Sequence, residues 1–584
     1  MGQKEEGVSP PKKSVFHFIL IKPSHYDDDG YVIQWLRSAV PSNTLAALNG
    51  LALDCAGRGV LGEGVDLVVS SYDESNSRIR PDKIAKKIKK SGGMGLVGLV
   101  GVQSNQFPRA LDLARDFREL GVQVCIGGFH VSGCLSMLPE IPVDLQEAMD
   151  LGISLFAGEV EGRLDEVLQD VYRGELKPLY NYLDDLPGLE GAPTPILPSA
   201  QIKRTGGAMT SFDAGRGCPF QCSFCTIINV QGRKSRRRSA DDVERIVRAN
   251  IALGIKSFFI TDDNFARNLE WEPILDRLIE LREEKGLKVK LTIQVDTLCH
   301  KIKGFIEKCE RAGVKRVFIG LESINPEALA GAKKRQNRIG EYREMLQAWH
   351  TTGATTCAGY ILGFPTDTPE SIVRDIKIIQ RELPIDILEF FILTPLPGSE
   401  DHQKLYEKGV WMDPDMNKYD STHVTTAHPL MTPEEWKNIY DLAWGTYYTP
   451  EHMEIVLQRA RRTGISRRRD ALIWFSCSMS VENVHPLDGG YFRLKYRRDR
   501  RRQLPVESPF FFYPRRVRDL LWGHARILAL AWKLDRACRQ IKKGSKSREY
   551  TDLSLTPVTE NERFELELLT QTPSARAAAG RHAR

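Results

Sequence analysis

The sequence predicts an α/β fold in three parts: a doubly wound parallel-sheet domain, a second series of parallel strand–helix units, and a helical C-terminal extension. Three observations carry this. Apolar strands alternate with amphipathic helices from the N-terminus to about residue 190, and such alternation builds a parallel sheet with helices on both faces. A second alternation, of six units, runs from about residue 207 to 400. Beyond 430 the strand pattern stops and helical periodicity takes over. At 584 residues the chain exceeds one ordinary domain. The boundaries read as 1–190, a linker at 191–206, then 207–430, 431–550, and a polar, Ala-rich tail at 551–584 expected to be disordered.

In the first part, residues 15–21, 66–70, 96–102 and 122–126 read as strands, and 81–90 and 109–120 as helices. Ligands of such sheets bind at the carboxyl ends of the strands, so the loops there are candidate binding loops. They carry His25 after the first strand and Ser104 and Asn105 after the third. Gly127, Gly128 and His130 follow the fourth, and Glu159 lies in a later Gly-rich loop. Adjacent glycines let backbone approach a bulky ligand closely. His25 also reads as a loop histidine beside the acidic run Asp27 to Asp29. Pro- and Gly-rich residues from 178 to 206 have the composition of a linker.

The second series places strands at 210–214, 257–261, 290–295, 317–320, 355–362 and 387–393. Between its first strand and a helix expected from about Asp241 lie Cys218, Cys222 and Cys225, spaced C-x3-C-x2-C. A four-iron cluster normally takes four ligands; three thiolates leave one iron open to hold a substrate or cofactor. A structural zinc site usually wants four ligands, often as two close pairs, and the next cysteine is Cys299. A disulfide framework would leave one thiol odd. The other eight of the eleven cysteines are scattered, as in a reducing compartment. Polar residues at the carboxyl ends of the later strands complete the candidate site: Asp262 and Asp263 after the second, Gln294 and Asp296 at the third, Glu322 and Ser323 after the fourth, and Gly363 after the fifth. Cys357 reads as a small buried hydrophobe or as a thiol lining the interior. The basic run 233–238 reads mainly as solvated charge, with one arginine available to pair with an anionic ligand.

These residues resemble the radical S-adenosylmethionine (SAM) superfamily, and within it the subfamily in which a cobalamin-binding domain precedes the barrel. The carrying phrases are GRGCPFQCSFCT at 215–226, DDNF at 262–265, GLES at 320–323, GYILGFP at 359–365, TPLPG at 394–398 and LDDLP at 183–187. The resemblance implies a partial (β/α)6 TIM-type barrel with a [4Fe-4S] cluster on Cys218, Cys222 and Cys225. It implies SAM chelated at the open iron and bound by Asp262, Asp263, Glu322, Ser323 and Gly363. It further implies cobalamin held by Ser104, Asn105, Gly127, Gly128, His130 and Glu159, with His25 in the loop of the family's cobalt-ligating histidine. There the sequence departs from Asp-x-His-x-x-Gly: Pro23 stands where Asp would be, and Gly30 comes five residues after His25.

The implied activity is reductive cleavage of SAM to a 5′-deoxyadenosyl radical and cobalamin-dependent methylation of an unactivated carbon. The electron donor would be one such as flavodoxin or ferredoxin. Two alternatives stay open: a cobalamin-dependent radical cyclase, oxidase or rearrangement enzyme without methyl transfer, and an iron–sulfur or cobalamin sensor. A cobalamin-type domain that has lost its cofactor is a further reading of the first part.

A formal charge of +6 is mild for this length and does not point to nucleic acid. No apolar run of 18 residues is available to span a membrane, and the polar start carries no export signal, so a cytoplasmic location is expected. Thr432-Pro-Glu-Glu435 marks a helix start. At 510–543, Trp522, Ile527, Leu530 and Trp532 beside clustered Arg and Lys suit an interfacial helix on anionic lipid. That reading places the enzyme at the inner face of the membrane with a lipid-like small-molecule substrate. The same segment also reads as a basic amphipathic helix packed on the barrel.

Overall fold

The structure is a computed structural model that describes residues 14–543, 552–559 and 562. Its first sheet has six parallel strands. In spatial order they are Val65–Asp73, Ser14–Lys22, Gly95–Leu99, Gln123–Gly127, Ser154–Ala157 and Leu179–Asn181. The chain reverses direction across the sheet beside Ser14–Lys22, which is where an open α/β sheet forms its ligand crevice. Ile19, Ile21, Val97 and Val124 pack on one face, under the helices Pro81–Lys90 and Phe107–Glu119. Phe18, Leu20, Leu96 and Phe156 pack on the other, under Asn43–Arg58 and Leu164–Arg173. Burial on both faces explains why the first strand reads as a continuous apolar run, without alternation.

The second sheet also has six parallel strands, now in chain order: Met209–Phe212, Ser257–Ile260, Lys290–Val295, Val314–Glu322, Thr355–Leu362 and Ile387–Ile392. Its first and last strands do not pair with each other, so the sheet is an open arc. Helices cross between them with the expected start signals. Ser239 and Thr368 close capping boxes at the heads of Ala240–Ala252 and Pro369–Glu382, and Thr432 does the same for Pro433–Tyr447. Each such cap contributes about 1 kcal/mol by satisfying amides that have no partner within the helix.

The C-terminal extension adds Pro450–Arg459, Ile465–Glu482 and Pro509–Lys543. Two features escape the sequence reading. Ile465–Glu482 has apolar and polar residues mixed around the helix, so no amphipathic stripe marks it. Gly490–Leu494 pairs antiparallel with Gln34–Ser38, a long-range ribbon that no local pattern announces. The last helix starts at Pro509, with Pro514 inside it; an interior proline removes one helical hydrogen bond and imitates a boundary in the sequence. Within the tail at 551–584, residues 552–559 lie against the helical layer. Gln347 donates to the Ser554 and Thr556 carbonyls at 2.9 and 2.7 Å, and Arg459 pairs with Asp552 at 2.8 Å. The remainder of that tail, Glu562 apart, is outside the described residues.

Candidate active site

The cysteine loop leaves the first barrel strand and is pinned at its base. Gly215–Arg216 and Arg236–Arg237 pair as a short antiparallel ribbon. Asp262 accepts the Ala214 and Gly215 amides through Oδ1 at 2.6 and 2.8 Å, and Asn268 through Oδ2 at 2.8 Å. Asp263 accepts the Gly217 amide at 3.0 Å. The adjacent aspartates thus clamp the loop from the neighbouring strand. Burial pushes the Asp262 carboxyl up to about 7 and Asp263 up to about 6. Asp262, 2% exposed, holds the loop; Asp263 is half-buried.

Cys222 is buried, Cys218 and Cys225 half-buried, and all three are free thiols. The Gln336 amide donates to Cys222 Sγ at 3.6 Å. Burial pushes the Cys218 thiol up to about 11 and the Cys225 thiol up to about 12, with the neighbouring thiols opposing ionisation further. Among the described residues no three His, Cys, Asp or Glu side chains are drawn together to hold a single ion; a cluster of four irons spans more than one ion, and its thiolates stand further apart. Three thiols on one loop, bonded neither to each other nor to another cysteine, fit that donor set.

Glu322 ends the fourth strand at φ +63°, beside a register shift against the fifth strand. Its carboxylate holds Lys334 at 2.5 Å. A left-handed non-glycine residue costs about 1–3 kcal/mol and tends to persist at functional sites. Ser323 turns inward: its hydroxyl accepts the Asn325 amide at 3.0 Å, and it is 2% exposed. Gly363 sits at φ +102° against Trp436, whose indole would lie 2.0 Å from an added Cβ. The Trp436 indole N–H donates to the Leu362 carbonyl at 3.0 Å. Packing against this indole demands the glycine. Gly363→Ala is therefore expected to lower stability by more than about 2 kcal/mol, from a strained backbone and a displaced core tryptophan; a thermal melt checks it.

A cavity of about 170 Å³ lies between the first sheet and the helix Asn43–Arg58, lined by Thr44, Leu48, Gly98, Cys125, Phe156 and Val167. Gly127, Gly128 and Glu159 also line it, as do Arg216, Val230 and Gln231 of the cysteine-loop segment. Ser104, Asn105, His130 and His25 are not part of this wall. His130 is 1% exposed; its ring contacts Ser104 Oγ at 3.1 Å and Asp144 at 2.9 Å. Asn105 is buried with Oδ1 unpaired. His25 is buried near Asp420, which follows the last barrel strand. Gly128, at φ +148°, is required because the Val102 amide nitrogen would lie 2.2 Å from a Cβ there.

One cluster was not foreseen. Arg216 reaches Glu159 and Glu161 at 2.6 Å each and Asp213 at 3.0 Å. Arg236 adds a 2.8 Å bond to Glu159, and Arg238 donates to the Asp213 carbonyl at 2.9 Å. Arg238 is 1% exposed, so the reading of 233–238 as solvated charge fails for these members. Their signal is the acidic pair Glu159 and Glu161 together with Asp213 at a strand end, all needing cations. Inside the arc, Phe318, Cys357, Gly359, Glu389 and Phe391 share the face opposite to Tyr360, which points to helix Pro369–Glu382. The His485 ring lies 4.7 Å from Phe391. Burial pushes Glu389 up to about 8, with Oε2 unpaired. Gln294 and Asp296 are engaged, Gln294 by the Asp262 carbonyl and Asp296 by Arg267 at 2.6 Å.

Residues 214–379 match the Radical SAM superfamily. The segment bearing the cysteine loop is a radical SAM domain. That superfamily implies a [4Fe-4S] cluster and SAM, and the chain is a radical SAM enzyme. It is 25% identical over 365 residues to bacteriochlorophyllide d C-8(2)-methyltransferase of Chlorobaculum tepidum, covering 59% of this chain and 76% of that protein. It is also 25% identical over 304 residues to hopanoid C-2 methylase of Rhodopseudomonas palustris, covering 51% and 55%. The chain thus spans little more than half the length of the second relative. Among solved structures, the radical SAM methyltransferase TsrM of Kitasatospora setae, with cobalamin and [4Fe-4S] bound, superposes with a TM-score of 0.55 at 14% identity, over 79% of this chain and 100% of that one. The cobalamin-dependent radical SAM enzyme OxsB, with aqua-cobalamin bound, gives 0.50 at 14% over 95% and 84%. These likenesses carry the fold: a doubly wound domain, a partial (β/α)6 radical SAM barrel and a helical C-terminal extension, as the sequence predicts.

Proposed function

We propose that this radical SAM enzyme is a cobalamin-dependent C-methyltransferase. The observation that carries the reading is the cavity lined both by Gly127 and Gly128 of the first sheet and by Arg216, Val230 and Gln231, which flank the cluster cysteines. Cobalamin held there would lie beside the segment that carries the cluster cysteines. The unpaired Asn105 Oδ1 beside the same strand ends supplies a buried acceptor in need of a donor. Together the cluster, SAM and cobalamin would supply reductive SAM cleavage, hydrogen abstraction and methyl transfer to an unactivated carbon.

The chain's own residues set the geometry. In this reading residues 1–190 hold cobalamin, 207–430 form the barrel after a linker at 191–206, and 431–550 are the helical C-terminal domain. Cys218, Cys222 and Cys225 hold the cluster; Asp262 and Asp263 clamp its loop; Glu322, oriented by Lys334, accepts from SAM. Phe318, Phe391 and His485 offer an apolar, aromatic wall to a small-molecule substrate and exclude water from the radical. Electrons would come from a flavodoxin- or ferredoxin-type donor in the cytoplasm.

The test is anaerobic reconstitution with cobalamin, SAM and a strong reductant. The expected outcome is stoichiometric cobalamin retained through gel filtration, with 5′-deoxyadenosine and S-adenosylhomocysteine both formed. 5′-Deoxyadenosine without S-adenosylhomocysteine would favour cyclisation, oxidation or rearrangement. Neither product, with both cofactors bound, would favour a sensor.

A further inference from the structure

The C-terminal helix Pro509–Lys543 has two apolar faces. One is buried: Gly523, Leu534, Cys538 and Ile541 face the helical layer of Pro450–Arg459 and Ile465–Glu482, and Phe512 packs on the Tyr31 ring at 5.4 Å. The other is bare. Phe510, Val517, Leu521, Leu528 and Trp532 recur at helical spacing on the opposite arc and are 85%, 56%, 69%, 68% and 60% exposed. The patch continues onto the antiparallel ribbon, where exposed Phe492 lies 5.8 Å, ring to ring, from His524 of the helix, and Leu36 on the paired strand is also exposed.

Charge decides what covers this face. The helix carries six arginines and three lysines against Asp519 and Asp535 alone. Arg526 and Arg536 lie over the rings of Trp522 and Trp532, at 4.5 and 5.9 Å, an arrangement suited to a polar–apolar boundary. A second copy of the chain docking through this face by two-fold symmetry would oppose the same cations to each other. An anionic surface with an apolar interior satisfies both the cations and the bare side chains. Among the described residues no helix is long and apolar enough to cross a membrane.

We propose that the outer face of Pro509–Lys543 docks the enzyme on an anionic lipid membrane. The proposal is independent of the methylation reading. It also places the barrel near that surface, because Ile465–Glu482, on which the helix packs, leads to His485 on the barrel wall.

The test is flotation of the full chain with vesicles of phosphatidylcholine alone or mixed with phosphatidylglycerol. Binding is expected on the anionic vesicles, with a blue shift of tryptophan emission. It should weaken about tenfold or more on neutral vesicles, or in about 0.5 M salt, where screening shortens to a few ångströms. The double variant Leu521→Glu, Leu528→Glu should lose binding about tenfold or more, because two apolar anchors leave the interface. Its thermal melt and circular dichroism should match the parent, since both side chains are exposed. Absence of anionic-vesicle binding at low salt overturns the proposal, as does binding that the double variant retains. A dimer in sedimentation that the double variant dissociates would assign the face to a second copy instead.

Discussion

Replacing Cys218 with alanine is expected to abolish both the iron–sulfur cluster and SAM cleavage. Three free thiols on one loop supply the protein's share of the ligands, and a cluster held by three cannot be expected to survive on two. Formation of 5′-deoxyadenosine should fall by at least about a thousandfold, the scale on which loss of one member of a catalytic unit acts. The fold should tolerate the change, because Cys218 is half-buried and the loop base is held by Asp262, Asp263 and the Arg236–Arg237 ribbon. Iron and sulfide content, visible absorbance and a thermal melt read these separately; an unchanged cluster spectrum would sink the assignment of Cys218. In the native chain, cluster assembly should improve as pH rises. Burial holds the Cys218 and Cys225 thiols up at about 11 and about 12, and each must release its proton to bind iron.

The cysteine spacing was legible in the sequence because cluster chemistry needs a ligand count on one short loop, and strand periodicity placed that loop after Met209–Phe212. The two sheets were legible for the same local reason. What escaped was long-range. Asp262 reads as a ligand from its position at a strand end, and the fold adds partners that no local pattern announces: Oδ1 accepts the amides of Ala214 and Gly215, and Oδ2 accepts from Asn268. Gly128 and Gly363 read as cofactor-binding positions, and each also answers to an internal neighbour, the Val102 backbone and the Trp436 indole. His130 reads as a binding-loop histidine and is fixed between Ser104 and Asp144. A loop motif reports that a position is constrained; only the packed partner tells whether the constraint is a ligand or the protein itself.

Arg216→Ala is expected to be the most damaging single change away from the cysteines. Arg216 joins the first sheet to the cysteine loop through Glu159, Glu161 and Asp213, and all four side chains are at most 10% exposed. Removing one partner of a buried ionic group costs about 3–5 kcal/mol, because the remaining charges stay buried and unpaired. For a unit of this size that lowers the melting midpoint by roughly 10 °C. Arg216→Lys should rescue only part of it, since one ammonium cannot present the separate guanidinium nitrogens that three carboxylates use. The pH dependence follows from the sign of the shifts. Burial opposes ionisation of Asp213 and Glu161, but Arg216 outweighs it and holds both below the usual carboxylate range. Their stabilising contribution is therefore present above about pH 4, the unfolded value, and is lost as pH falls further. In the alanine variant burial acts with less opposition, so these carboxyls take up protons sooner and acidification relieves the damage. The gap between the parent and variant melts should be widest near neutral pH and narrow toward pH ~4. Because Arg216 also lines the cavity, the variant should retain less cobalamin in the same reconstitution. A gap that does not change with pH would mean that the carboxylates are not what the arginine restrains.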